Sequence, residues 1–275
     1  MDLYTRTSYK LSKTITRDYS TSFSLGIHML DKRFHDAIYA IYGFVRLADE
    51  IVDTFHDHDK KALLSRFKED TYRALDERLS TNMVLHSFQH VVNEYKISRS
   101  YIDAFLHSME MDLDPVLYTD DKYNEYIYGS AEVVGLMCLR VFCNQDVGLF
   151  ESLVPPARKL GAAFQKVNFL RDIKSDYEER GRVYFPGVDF TTFNDDDKRK
   201  IEKDILEDFN ASVEGIKNLP KGAGLGVKVA YKYYLSLFDK IKSLPPEKLK
   251  TERIRIPNSK KMILLAKTWL TGSLN

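Results

Sequence analysis

Tyr42-Gly43-Phe44-Val45-Arg46-Leu47-Ala48-Asp49-Glu50-Ile51-Val52-Asp53 is the stretch on which the reading of this chain turns. Its apolar residues recur three and four apart, the spacing of a helix buried along one side. At 3.6 residues per turn, Arg46, Asp49, Glu50 and Asp53 share one stripe. A second stretch, Gln165-Lys166-Val167-Asn168-Phe169-Leu170-Arg171-Asp172-Ile173-Lys174-Ser175-Asp176, aligns Gln165, Asn168, Asp172 and Asp176 in the same way. The commonest reason for charges on a helix is a solvated face with ion pairs one turn apart. Two details oppose that reading. Both stripes lie among large apolar residues, and Gln165 and Asn168 lengthen the second stripe with oxygen ligands that carry no charge. Mg²⁺ is small and hard, takes one or two carboxylates, and completes its shell with water and phosphate oxygens. Two facing stripes can hold such cations, which in turn hold a diphosphate and make it a better leaving group. Arg46 and Arg171 add guanidinium groups suited to phosphate oxygens.

Outside these stripes the periodicity is helical almost throughout. Helices are expected at about 34–56, 60–79, 82–95, 98–112, 121–143, 147–153, 156–178, 197–217, 223–243 and 259–270. Turn signals separate them, among them Val154-Pro155-Pro156, Tyr184-Phe185-Pro186-Gly187 and Leu244-Pro245-Pro246. No alternating strands and no repeat period stand out. The chain of 275 residues reads as one all-α domain, 1–275, with a buried core. Aromatic runs such as Tyr231, Tyr233, Tyr234, Leu237 and Phe238 serve core packing, and bundles of this kind also place apolar cavities between helices.

Composition narrows the function classes. Lys+Arg 41 against Asp+Glu 40 gives a formal net charge of +1, which offers no global case for a nucleic-acid partner. Cys138 and Cys143 are the only cysteines and sit in apolar surroundings, as buried reduced thiols of a cytoplasmic protein do. The polar stretch Met1 to Lys13 has no signal-peptide core, and no run of about 18 apolar residues points to a membrane span. Lys260 to Leu270 is amphipathic with basic flanks. It suits a terminal packing helix or peripheral contact with a membrane surface.

The motifs, taken in order, resemble the squalene/phytoene synthase family of head-to-head prenyl synthases, over Tyr19 to about Asp239. They are Tyr19-Ser20-Thr21-Ser22-Phe23-Ser24; Tyr42-x-x-x-Arg46-x-x-Asp49-Glu50-x-x-Asp53; Tyr128-Gly129-Ser130-Ala131-Glu132-Val133-Val134-Gly135; Gln165-x-x-Asn168-x-x-Arg171-Asp172-x-x-x-Asp176 with Arg180-Gly181-Arg182-Val183-Tyr184-Phe185-Pro186; and Tyr234. The wording around Ser130 and Gln165 is most like bacterial phytoene synthases of the carotenoid pathway. The resemblance implies a class I isoprenoid synthase bundle with a central apolar cavity. It implies condensation of two geranylgeranyl diphosphates through a cyclopropyl diphosphate to phytoene, with Mg²⁺ or Mn²⁺ and without NADPH. It further implies Asp49, Asp53, Asn168, Asp172 and Asp176 as metal ligands. Ser20, Ser22, Phe23, Gln165 and Asn168 would bind substrate, and Tyr42, Arg46, Tyr128, Arg171 and Tyr234 would act on the diphosphate or the cation's path. Chain length is expected to depend on Phe23, Ile27, Ala157 and Leu160. Alternatives are a dehydrosqualene or squalene-type synthase using farnesyl diphosphate, and a non-catalytic binding factor on the same fold. The oligomeric state stays open.

Other features are read as structural. Lys221 to Lys228 is glycine-rich but fits no phosphate-loop pattern and follows no strand. His86 and His90 lack the glutamate of a zincin and are expected to be surface or hydrogen-bonded histidines. His56 to Asp59 is a polar helix end. Glu110, Asp112 and Asp114 are expected on a solvated face. Arg253, Arg255 and Lys260 are candidate cations near the diphosphate.

Overall fold

In the computed structural model the residues described are 1–114, 118–257, 259, 261 and 263. They are helical, with no strand among them. α1 (Leu3–Tyr19), α2 (Thr21–His28), α3 (Lys32–Asp53), α4 (Lys60–Glu77), α5 (Met83–Tyr95) and α6 (Arg99–Met111) form the first half. α7 (Asp120–Ile127), a π-turn (Tyr128–Glu132), α8 (Val133–Cys143), α9 (Val147–Glu178), α10 (Asp195–Lys217), α11 (Gly224–Lys242) and α12 (Pro246–Thr251) follow. Starts are set by side chains that take up free amide donors: Asp2, Asp59, Asn82, Asp146 and Asn194 each cap a helix in this way.

Two cores organise the molecule. α3 runs through the first, where Phe44 stacks on Phe88 at 3.8 Å and touches Phe67 and Phe105. α9 runs through the second, packing on α8, α10, α11 and α12. Leu219 and Val227 touch both. α2 lies against α11, and an apolar cavity of about 260 Å³ opens between the halves. The two acidic stripes stand on the long central helices at its upper end.

Four expectations need correction. The polar N-terminus is helix α1, whose buried face is Thr5, Ser8, Tyr9, Ser12 and Thr16 rather than aliphatic side chains. These small hydroxyl residues let it approach α3, where a Cβ on Gly43 would stand 2.9 Å from the Ser12 hydroxyl. Pro155 and Pro156 do not end a helix, for α9 runs through them. The carbonyls they leave unpaired belong to Glu151 and Ser152, both exposed to water. The stretch 121–143 is interrupted by the π-turn, in which the Val133 amide donates to the Tyr128 carbonyl. By length and hydropathy Asp120–Cys143 does qualify as a membrane span, but 56% of its most apolar window is buried inside the fold. The expected helix at 259–270 lies almost wholly outside the described residues, as does Lys260.

Candidate active site

The first stripe stands on the last turns of α3. Tyr42 stacks on Phe23 of α2 at 4.7 Å and is hydrogen-bonded to Ser20, while burial pushes its hydroxyl up to about 12. Ser20 also caps α2 by accepting from the Phe23 amide at 3.2 Å, and Ser22 lies half-buried in that helix's first turn. One turn below Tyr42, Arg46 packs over the Tyr19 ring at 4.4 Å and pairs with Glu50 and, at 3.8 Å, with Asp49. Its Nε is buried without an acceptor. Of the residues expected to anchor diphosphate, Ser20, Tyr42 and Arg46 are thus brought together, with Phe23 stacked on Tyr42.

Across the cleft, the second stripe stands on α9. Gln165 donates to Ser130 of the π-turn at 3.2 Å and accepts from Asn168 at 3.3 Å. Asn168 is hydrogen-bonded to Tyr234, whose ring stacks on Phe164 at 4.0 Å. The Asn168 Oδ1 is buried and has no donor. Asp172 lies between Arg171, at 3.0 Å, and Arg253, at 2.7 Å. Of the C-terminal cations, Arg253 therefore reaches the site. Arg255 is exposed, and its carbonyl accepts from Lys240 at 2.8 Å.

Two arginines from one turn reach the first stripe, and one of them, Arg180, also reaches the second. α9 ends where Gly181 adopts φ +65°. The Gly181 amide then bonds back to Tyr177, and the Arg182 amide to Asp176, the glycine-dependent closure that ends many helices. The chain folds back over the acidic face. Arg180 reaches Asp176 at 3.2 Å and Asp53 at 3.4 Å, while Arg182 reaches Asp53 at 2.9 Å.

Charge is nevertheless incompletely balanced. Burial in the walled cleft, then the neighbouring acids, pushes Asp49 up to about 7 even though Arg46 opposes this. Asp49 keeps 32% of its side-chain surface open. Asp176 is pushed up to about 7 by burial and by Asp172. The donor set suits a hard divalent cation: carboxylates short of positive charge, and an orphaned amide oxygen on Asn168. Among the described residues no three acids, imidazoles or thiols converge into a closed cage, and Mg²⁺ seldom uses one.

Neither Tyr128 nor Tyr234 is among the residues lining the apolar cavity: Tyr128 packs beneath Arg158, 5.1 Å from its ring, and Tyr234 stacks on Phe164, which does line it. One placement differs from expectation. Asp112 is not on a solvated face. Glu110 and Asp114 are, at 39% and 62% exposure, but the Asp112 side chain is 5% exposed and accepts from Tyr126 at 2.7 Å and Tyr184 at 3.0 Å. Arg180 and Arg182 were visible in the sequence only as part of a motif, with no spacing to show that their turn doubles back. His86 and His90 are hydrogen-bonded, to Thr5 and Tyr9 respectively. Cys138 and Cys143 are free thiols.

Beneath the stripes, Phe23, Ile27, Ala157 and Leu160 all line the apolar cavity, with Val134, Cys138, Leu153 and Leu219 further along it. Paired acidic stripes joined over a dry cavity are the arrangement on which the comparisons with known proteins bear. Residues 16–260 match the family model of squalene/phytoene synthase. The chain belongs to that family. Among its relatives, a phytoene synthase of Arthrospira platensis is 30% identical over 204 residues, 68% of this chain and 63% of that protein. A 15-cis-phytoene synthase of Synechocystis is 27% identical over 97% of this chain and 86% of the relative. A 4,4'-diapophytoene synthase of Staphylococcus haemolyticus is 27% identical over 73% of this chain and 70% of the relative. In fold, the chain matches a dehydrosqualene synthase with a TM-score of 0.82 at 23% identity, covering 98% of each chain. A squalene synthase from Alicyclobacillus acidocaldarius matches with 0.74 at 18% identity, over 88% of this chain and 96% of that one. The all-α isoprenoid synthase architecture expected from the motifs is therefore present, and the family's members are head-to-head prenyltransferases.

Proposed function

We propose that this protein condenses two geranylgeranyl diphosphates head to head into phytoene. The observation that carries this reading is the pair of acidic stripes, bridged by Arg180, at one end of an apolar cavity. Asp49 and Asp53 on one side, and Asn168, Asp172 and Asp176 on the other, would hold Mg²⁺. When bound, that cation supplies charge neutralisation for the departing diphosphate. Arg46 and Ser20 orient the diphosphate oxygens, and the unpaired Arg46 Nε gives one of them a donor. The C1–O bond breaks with its electron pair leaving on the diphosphate. The second substrate's alkene then supplies the pair that forms the new carbon–carbon bond, with loss of a proton. A second ionisation, rearrangement and proton loss complete the product, so two diphosphates are released. Tyr42 and Tyr234, near enough to influence one another, present aromatic faces to the cationic carbon, and the apolar wall keeps water from it.

The span of the cavity's α9 wall supports the C20 substrate. Gln165 and Leu153 both line the cavity, and at the rise of an α-helix they stand about 18 Å apart along α9. Scaled from the reach of an extended polypeptide, a chain of four isoprene units spans about 18 Å and one of three about 14 Å. A C15 chain would leave the lower end of the cavity unfilled. The second reading, a dehydrosqualene synthase acting on C15 diphosphates, draws on the Staphylococcus relative.

Product analysis with Mg²⁺ and either C15 or C20 diphosphate, with and without NADPH, tests the proposal. Phytoene from the C20 substrate without NADPH is the expected result. Dehydrosqualene as the dominant product would establish the second reading, and NADPH-dependent squalene would overturn both. Asp49→Asn and Asp172→Asn are expected to lower turnover at least about a hundredfold, beyond the loss typical of groups that only support a ligand. Full activity in either variant would remove that residue from the metal-holding set.

A further inference from the structure

We propose that Asp112 is a positioning residue of this site: through Arg182 it fixes the orientation of Asp53, the last acid of the first stripe. The inference rests on the reading of Asp53 as a metal-holding carboxylate. Asp112 closes the C-terminus of α6. Its carboxylate stands 3.4 Å from Arg182 Nε in an ion pair, and its main-chain carbonyl accepts from a terminal nitrogen of the same guanidinium at 2.8 Å. The other terminal nitrogen donates to Asp53 at 2.9 Å. Every nitrogen of the Arg182 fork thus faces an acidic or carbonyl oxygen, and Asp112 holds two of the three, one through a hydrogen bond and one through an ion pair. Because the fork is planar and rigid, holding two corners aims the third. A guanidinium at a helix C-terminus is also favoured by the exposed carbonyls there.

The surroundings make the arrangement stiff. Arg182 and Asp112 are 10% and 5% exposed, so neither trades its partner for water at little cost. The two tyrosines that donate to Asp112 are themselves locked: Tyr184 stacks on Phe169 at 4.1 Å, and Tyr126 packs against both at 4.9 and 5.9 Å. Phe169 follows Asn168 on α9, so the same network ties the second stripe to the first. Arg180, the other partner of Asp53, is 26% exposed and shared with Asp176. It has no comparable support. The two arginines differ in kind, and Asp112 is the reason.

The test measures Mn²⁺ binding in the presence of inorganic diphosphate by electron spin resonance, in wild type, Asp112→Asn, Tyr126→Phe and Asp53→Asn. Asp112→Asn is expected to weaken Mn²⁺ binding about tenfold, the usual scale for a group supporting a ligand, and to raise the metal requirement for turnover more than it lowers kcat. Tyr126→Phe removes one hydrogen bond to the same carboxylate and is expected to act in the same direction, by a smaller factor, in a folded protein. In an Asp53→Asn background, Asp112→Asn should add little further loss. Unchanged Mn²⁺ binding in both Asp112→Asn and Tyr126→Phe overturns the proposal, as do losses that simply multiply in the double variant. If Asp112 and Asp53 are coupled in Mn²⁺ binding but wild type turns over no prenyl diphosphate, the positioning role stands and the assigned reaction fails. Absence of Mn²⁺ binding in wild type overturns both.

Discussion

Asp49 and Asp176 show what the site asks of its surroundings. Each is held up to about 7, well above the ordinary carboxylate value of about 3.9. Between those values the folded chain binds more protons than the unfolded one, so these residues lower stability as pH rises from about 4 to 7. Added positive charge reverses the penalty only where the groups would otherwise be ionised. Thermal unfolding of the metal-free protein should therefore shift down between about pH 4 and 7. The gain in melting temperature on adding Mg²⁺ with diphosphate should grow over the same interval. Asp49→Asn should flatten part of both trends. A Mg²⁺ effect independent of pH would show that these two carboxylates do not take part. At this scale much was legible: the spacing of both stripes, the odd neutral members Gln165 and Asn168, and the arginines beside them. Asp112 was not, because one acid among Glu110, Asp112 and Asp114 carries no local mark of burial. Its environment is made by Tyr126, Tyr184 and Arg182, which are distant in sequence.

Among the elements, the π-turn at Tyr128–Glu132 has the clearest consequence. Gly129 faces the Ala104 carbonyl and Ser108 of α6, where an added Cβ would come within 2.4 and 2.8 Å. Only glycine lets the turn lie this close, and the turn in its place points Ser130 at Gln165. Gly129→Ala is expected to cost about 1–3 kcal/mol of stability, as overpacking of a tight site does, measurable by urea unfolding. It should also raise KM, because Ser130 is displaced from Gln165. An unchanged unfolding midpoint would mean that α6 gives way. The helical reading of this region from periodicity was sound, yet one extra residue in the turn is invisible to a pattern that tolerates such slips. The same limit applies to α1. Its buried threonines and serines have the spacing of an inner face without its hydrophobicity, so the sequence pattern shows a polar tail where packing makes a helix.

For the molecule as a whole, the decisive relation is between the stripes and the depth of the cavity below them. Ala157 lies on the α9 wall between Leu160 and Leu153, about two-thirds of the way along the run from Gln165. Ala157→Phe should block the lower part while leaving the acids and arginines untouched. Turnover of the C20 diphosphate should then fall at least about tenfold relative to the C15 one, since lost apolar contacts of this size discriminate on that scale. Equal loss for both substrates would place the chain's far end elsewhere. Phe23, Ile27, Ala157 and Leu160, expected to govern chain length, all reach the cavity. How far the cavity extends beyond them depends on Leu153, Leu219 and Phe142, contributed by three separate parts of the chain.

The sequence by itself determined the helical class, the two acidic stripes and the family to which they belong. Those properties are local: a period of 3.6, and residue types repeated within a turn or two of one another. Only the tertiary structure decided that Arg180 and Arg182 fold back across the cleft, that Asp112 is buried behind them, and how deep the cavity runs. Each of those depends on contacts between segments tens of residues apart, where no period links the partners and packing alone brings them together.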